Sequence, residues 1–108
     1  MKRLFLLPLL LPVAVLAAES AENAYLLIIQ DHRFQPVDLV VPAGKKIKLT
    51  IENRDATPEE FESHALNREK VVPAKATATI FIGPLSPGRY PFFGEFNEKT
   101  AQGVVIAQ

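Results

Sequence analysis

Residues 46–52 alternate without a break. Ile47, Leu49 and Ile51 are apolar, while Lys46, Lys48, Thr50 and Glu52 are polar. A period of two puts the two sets on opposite faces of an extended chain, so this segment is a strand with one buried and one wet face. Such a strand needs neighbours and a second layer, and the rest of the chain offers both. Val37, Leu39 and Val41 alternate between Pro36 and Pro42, and Ala78, Ile80 and Ile82 oppose Thr77, Thr79 and Phe81. Tyr90 to Phe93 and Gly103 to Ala107 supply two more short runs. Tyr25 to Ile29 is apolar throughout, as expected of a strand covered on both faces. Ala43-Gly44, Pro73, Pro84 and Pro87-Gly88 break the runs with turn chemistry. No segment has the period of a long amphipathic helix. A helical turn or two is expected only between Glu59 and Glu69, where Phe61 and Leu66 are lone apolar anchors in a polar stretch. The pattern predicts one all-β domain, an antiparallel sandwich.

The N-terminus reads differently. Met1-Lys2-Arg3, an apolar run from Leu4 to Leu16 and then Ala17-Ala18 have the form of a secretory signal peptide. The run is short for a membrane span and contains Pro8 and Pro12. Cleavage after Ala17 is expected, leaving residues 18–108 as the mature domain in the periplasm. The chain has no cysteine. That excludes disulfides, thiolate metal chemistry and a covalent lipid anchor, so packing alone must hold the exported domain. The precursor's formal charge is zero, and losing Lys2 and Arg3 makes the mature domain slightly acidic. No basic face stands out, which argues against a nucleic-acid partner. No nucleophile elbow, zinc-protease motif or phosphate loop is present, and the chain is read as a non-enzyme.

Phe34-x-Pro36, Val41-Pro42-Ala43-Gly44-Lys45 and Leu49-x-Ile51-x-Asn53, followed later by Leu85-x-Pro87-Gly88-x-Tyr90-x-Phe92, resemble the frame of a cupredoxin. The resemblance spans the mature chain and implies a Greek-key β-sandwich. Thr57-Pro58-Glu59-Glu60-Phe61-Glu62-Ser63 and Phe93-Gly94-Glu95-Phe96 are similar to the EfeO-type cupredoxin-like domains, which accompany bacterial iron-uptake systems. The copper-binding pattern itself is absent. Glu60 stands where a first histidine ligand is expected, and the cysteine place falls at or near Phe93. The second histidine falls around Glu95 to Asn97, and the methionine around Glu98 to Ala101. A type 1 copper centre depends on a copper–thiolate bond, which these residues cannot make.

The two loops that flank the copper pocket in such relatives bring acids instead. One carries Glu59, Glu60, Glu62 and His64; the other carries Glu95 and Glu98. Glu60 and Glu62 share a face if their segment is extended, and Glu69 belongs to the same neighbourhood. The candidate ligands are Glu60, Glu62, His64, Glu95 and Glu98. Several carboxylates with one imidazole suit iron or manganese, and copper(II) binds by general affinity order. The resemblance implies a periplasmic iron-uptake component that binds iron or copper and works beside an inner-membrane iron permease. Two other readings stay open: a metal-free docking module of an envelope complex, and a non-blue copper-binding protein using His64 with carboxylates. His32 is expected in an exposed turn. Phe92, Phe93 and Phe96 are expected to fill core, and Lys45, Lys46 and Lys48 to keep one strand soluble.

Overall fold

The computed structural model describes residues 23–108. The expected signal segment 1–17 and the first residues of the mature domain lie outside them. Among the described residues nine strands follow one another: β1 (Ala24–Gln30), β2 (Arg33–Gln35), β3 (Asp38–Val41), β4 (Ile47–Asn53), β5 (Glu59–Ser63), β6 (Arg68–Val72), β7 (Thr77–Ile82), β8 (Gly88–Gly94) and β9 (Gln102–Ala107). A 3₁₀ turn, Glu95–Asn97, lies between β8 and β9. The strands form a four-stranded sheet in the order β2-β1-β4-β7 and a five-stranded sheet in the order β3-β9-β8-β5-β6. The fold is the all-β, cupredoxin-like sandwich that the strand pattern and the resemblance predict.

The sheets are mixed rather than wholly antiparallel. β1 runs parallel to β4, and β3 runs parallel to β9. The chain causes this by changing sheets: after the β1–β2 hairpin, Pro36 and Val37 carry it across to β3, and it then returns to lay β4 beside β1. An alternating pattern reports which face of a strand is buried, not the direction of its neighbour, so the parallel pairs were invisible to it.

The strand at residues 46–52 behaves as its sequence dictates. Ile47, Leu49 and Ile51 are fully buried, and Lys48 is exposed. β1 is covered on one face only: Leu27 and Ile29 are buried, whereas Leu26 is half exposed. At the centre three rings meet. Phe34 meets Phe92 edge-on at 5.0 Å between centroids, and Phe92 stacks on Phe61 at 5.2 Å. Each ring comes from a different place in the chain, so the cluster fastens β2 to β5 and β8 across the two sheets.

The stretch expected to hold a helical turn is a hairpin instead. β5 and β6 pair from Glu59↔Val72 to Ser63↔Arg68. The inward positions of β5 are Glu59, Phe61 and Ser63. Two of those three are polar, which hid the period of two from a hydrophobicity pattern.

Candidate metal centre

β5 sets the site by its parity. With Glu59, Phe61 and Ser63 turned to the core, Glu60 and Glu62 face outward. Glu62 stands opposite Glu69 of β6 and opposite Phe93 of β8, and Glu60 stands opposite Val71. Directly opposed residues share a face. Glu60, Glu62 and Glu69 therefore gather on the outer face of the five-stranded sheet, and one carboxylate oxygen from each lies within 4.8 Å of the others.

No ion pair among the described residues reaches this cluster. Among the described residues the ion pairs are His32–Asp55 and Arg54–Glu52. Arg68 is near, but it donates through Nε to the Phe81 carbonyl at 2.9 Å and through Nη1 to the Asn67 carbonyl at 2.9 Å. Like charges placed opposite each other on a sheet are destabilising. The strain shows at Glu62. Partial desolvation on the sheet face holds its carboxyl above the ordinary value, and so do repulsion by Glu69, hydrogen bonding to Glu69 and the charges of Glu95 and Glu60.

The other sequence candidates fall around this cluster. Glu95 opens the 3₁₀ turn, close enough to act on Glu62 through its charge. His64 lies in the β5–β6 turn with its ring 5.7 Å from that of Phe93. It lines a polar hollow of about 320 Å³ with Glu62, Asn67, Arg68 and Glu69, beside the carboxylates rather than among them. Glu98 lies further along. It lines a second hollow of about 330 Å³ with Pro91, Phe93 and Gln102, and is not part of the converging group. Glu69, placed only in the neighbourhood by the sequence, is the third converging acid. The hairpin register brings it there, and that register follows from a turn of only four residues between β5 and β6.

Glu59 is the residue the hydrophobic pattern conceals most. It is 2% exposed. Its Oε1 accepts from the amides of Glu60 and Phe96, each at 2.9 Å, and its Oε2 accepts from Asn97 Nδ2 at 2.7 Å. It thus fills the end of the sandwich where β5 meets the β8–β9 connection. Gly94 makes room for it, because a Cβ there would lie 2.6 Å from the Glu59 carboxyl carbon and 2.7 Å from the Ala101 Cβ.

Of the three aromatic residues expected in the core, Phe92 is buried, Phe93 is half-buried and Phe96 is half exposed. His32 sits in the β1–β2 turn with its side chain 47% exposed, and its Nδ1 is 3.6 Å from Asp55. Lys46 lays its ammonium 4.7 Å from the centre of the Phe81 ring.

A family model described as a cupredoxin-like domain matches residues 3–107. The chain belongs to the cupredoxin-like domain family. An uncharacterized protein of Rickettsia prowazekii (strain Madrid E) is 50% identical over 78 residues, covering 72% of this chain. The chain spans 62% of that relative's length. Among solved structures, auracyanin A, a blue copper protein from Chloroflexus aurantiacus, superposes with a TM-score of 0.68 at 12% identity, over 79% of this chain and 98% of its own. Amicyanin from Paracoccus versutus gives 0.63 at 15% identity, over 84% and 87%. The metal-binding domain of the Cu(I)-exporting P-type ATPase CopA of Streptococcus pneumoniae D39 gives 0.66 at 13% identity, over 79% and 84%. These likenesses show the fold.

The copper of a blue protein does not fit the residues of this cupredoxin-like domain. It has no thiolate to offer. The end of the sandwich where β5 meets the β8–β9 connection holds the hydrogen-bonded Glu59 carboxylate. The donors that do converge are all oxygens, and they lie on the sheet face. Oxygen donors of this kind match hard or borderline cations.

Proposed function

We propose that this domain is a periplasmic component of a bacterial iron-uptake system that binds iron as cargo through Glu60, Glu62 and Glu69, with Glu95 alongside. The observation that carries the reading is the convergence of three carboxylates within 4.8 Å with no ion pair to a basic side chain among the described residues. A cation between them would turn mutual repulsion into attraction. Their placement on an open sheet face leaves part of a bound ion's coordination free for another ligand, which suits hand-over to a partner. The similarity of the Thr57-Pro58-Glu59-Glu60-Phe61-Glu62-Ser63 and Phe93-Gly94-Glu95-Phe96 segments to EfeO-type domains supports iron as the cargo and an inner-membrane iron permease as that partner. The domain acts as a carrier rather than an enzyme, and the signal-like N-terminus supports export.

Titration of residues 18–108 by calorimetry tests the reading, using iron(II) without oxygen, an iron(III) chelate and copper(II). Saturable binding of iron that weakens at least about ten-fold in Glu62→Gln is expected; that factor corresponds to about 1.4 kcal/mol. Binding of copper(II) alone, or of no metal, overturns it.

A further inference from the structure

A buried carboxylate with no cation beside it stands out in a small sandwich, because charged groups are rarely buried without a partner. Glu59 is such a group, and its partners are all neutral donors. Two of them, the Phe96 amide and Asn97 Nδ2, belong to the 3₁₀ turn. The turn's own cap residue, Gly94, has no side chain to cap with. Phe96 is the second residue of the turn, and its amide is one that the turn leaves without an internal partner. Glu59 therefore does the work of an N-cap from a different strand. Its third partner is the amide of Glu60, so the same carboxylate fixes the start of β5. Glu60 and Glu95 lie immediately next to the two ends of this bridge.

We propose that Glu59 is a positioning residue: its carboxylate locks the Glu95–Asn97 turn onto β5 and so holds Glu95 against the Glu60–Glu62–Glu69 cluster. This role rests on the cation site proposed above. The bridge ties the β8–β9 connection to the facing strand β5. The charged group that presents Glu95 is then itself kept away from the ion.

A double-mutant cycle tests this, with manganese(II) as a redox-stable probe for hard oxygen sites. Glu59→Ala is expected to weaken manganese binding about three- to ten-fold when Glu95 is present, and to add almost nothing in a Glu95→Gln background. Glu59→Gln keeps an oxygen for the Phe96 and Glu60 amides and is expected to retain most of the affinity. If Glu59→Ala does not fold, Asn97→Ala removes one leg of the bridge and is expected to show the same dependence on Glu95 at smaller size. In the metal-free protein, hydrogen exchange at the Phe96 amide is expected to accelerate about ten-fold or more in Glu59→Ala, or in Asn97→Ala by less. Losses that are equal with and without Glu95 overturn the positioning role and leave the cation site standing. Wild-type protein that does not bind manganese or iron overturns the cation site, and unchanged Phe96 exchange overturns the bridge itself.

Discussion

Glu62 is the residue on which charge and position act together. Its carboxyl takes up a proton at a higher pH than it does in an unfolded chain, whose ordinary value is 4.5, owing to desolvation and to Glu69, Glu95 and Glu60. In the metal-free domain, its contribution to stability is therefore fully present below that ordinary value and is lost as pH rises through the raised one. A bound cation competes with the proton, so metal affinity is expected to fall as pH drops through the same window. Calorimetric titrations at two pH values on either side of it measure that fall. Glu62→Gln should then separate the two effects, raising the thermal midpoint of the metal-free domain at neutral pH while lowering its affinity for metal. Gly94 makes the opposite case, a position set by space alone. Gly94→Ala drives a methyl into the Glu59 carboxyl and Ala101, and is expected to destabilise the domain by about 1–3 kcal/mol in urea unfolding. At this scale the sequence was a partial guide. Glu60 and Glu62 could be placed on one face, because extension alone dictates it. The inward turn of Glu59 could not be read, since an acid at a core position looks like one more loop acid until Phe61 is seen to fix the parity of the strand.

Turns and short connections hold the elements in place through a few buried polar groups. Asn53 ends β4 and is 1% exposed. Its Nδ2 lies within donating range of the carbonyls of Thr57, Val72 and Pro73, and its Oδ1 accepts from the Asp55 amide. It thereby fastens the entry of the β5–β6 hairpin to the exit, and the acids of that hairpin depend on it. Asn53→Leu leaves buried carbonyls without donors and is expected to lower stability by about 2–4 kcal/mol. Asp55 does a related task for the β1–β2 turn. Its carboxylate accepts from the amides of Asp31 and His32, both in left-handed backbone conformations. Desolvation pushes Asp55 up, but those two amides and the charges of His32 and Lys75 outweigh it and hold its pKa below 3.8. The stability this confers is present above 3.8 and is lost as pH falls through the lowered value. Acid unfolding of Asp55→Asn should lack that loss. The strands were legible where buried and exposed residues alternate by polarity, as in β4 and β7. The hairpin at Glu59–Val72 was not, because its inner positions mix Phe61 with Glu59 and Ser63, and local polarity then imitates a loop.

At the level of the whole molecule, the Phe34–Phe61–Phe92 cluster joins the two sheets, and the chain has no cysteine to cross-link them. Phe92→Ala removes the ring that packs most closely on the other two and is expected to destabilise the domain by about 3–5 kcal/mol in thermal or denaturant unfolding. Chain order, turn chemistry and the quoted motifs made the sandwich recognisable, since they record where strands begin and end. Strand direction and the meeting of β5, β6 and β8 depend on contacts far apart in sequence, and no local pattern encodes those. That is why the candidate acids were expected at the loop end of the sandwich, while Glu60 and Glu62 converge with Glu69 on its outer face. The most direct test is diffraction from crystals soaked in iron, recorded at the iron absorption edge. One anomalous peak bridged by Glu60, Glu62 and Glu69 is expected; a peak elsewhere, or none at saturating iron, overturns the proposed site.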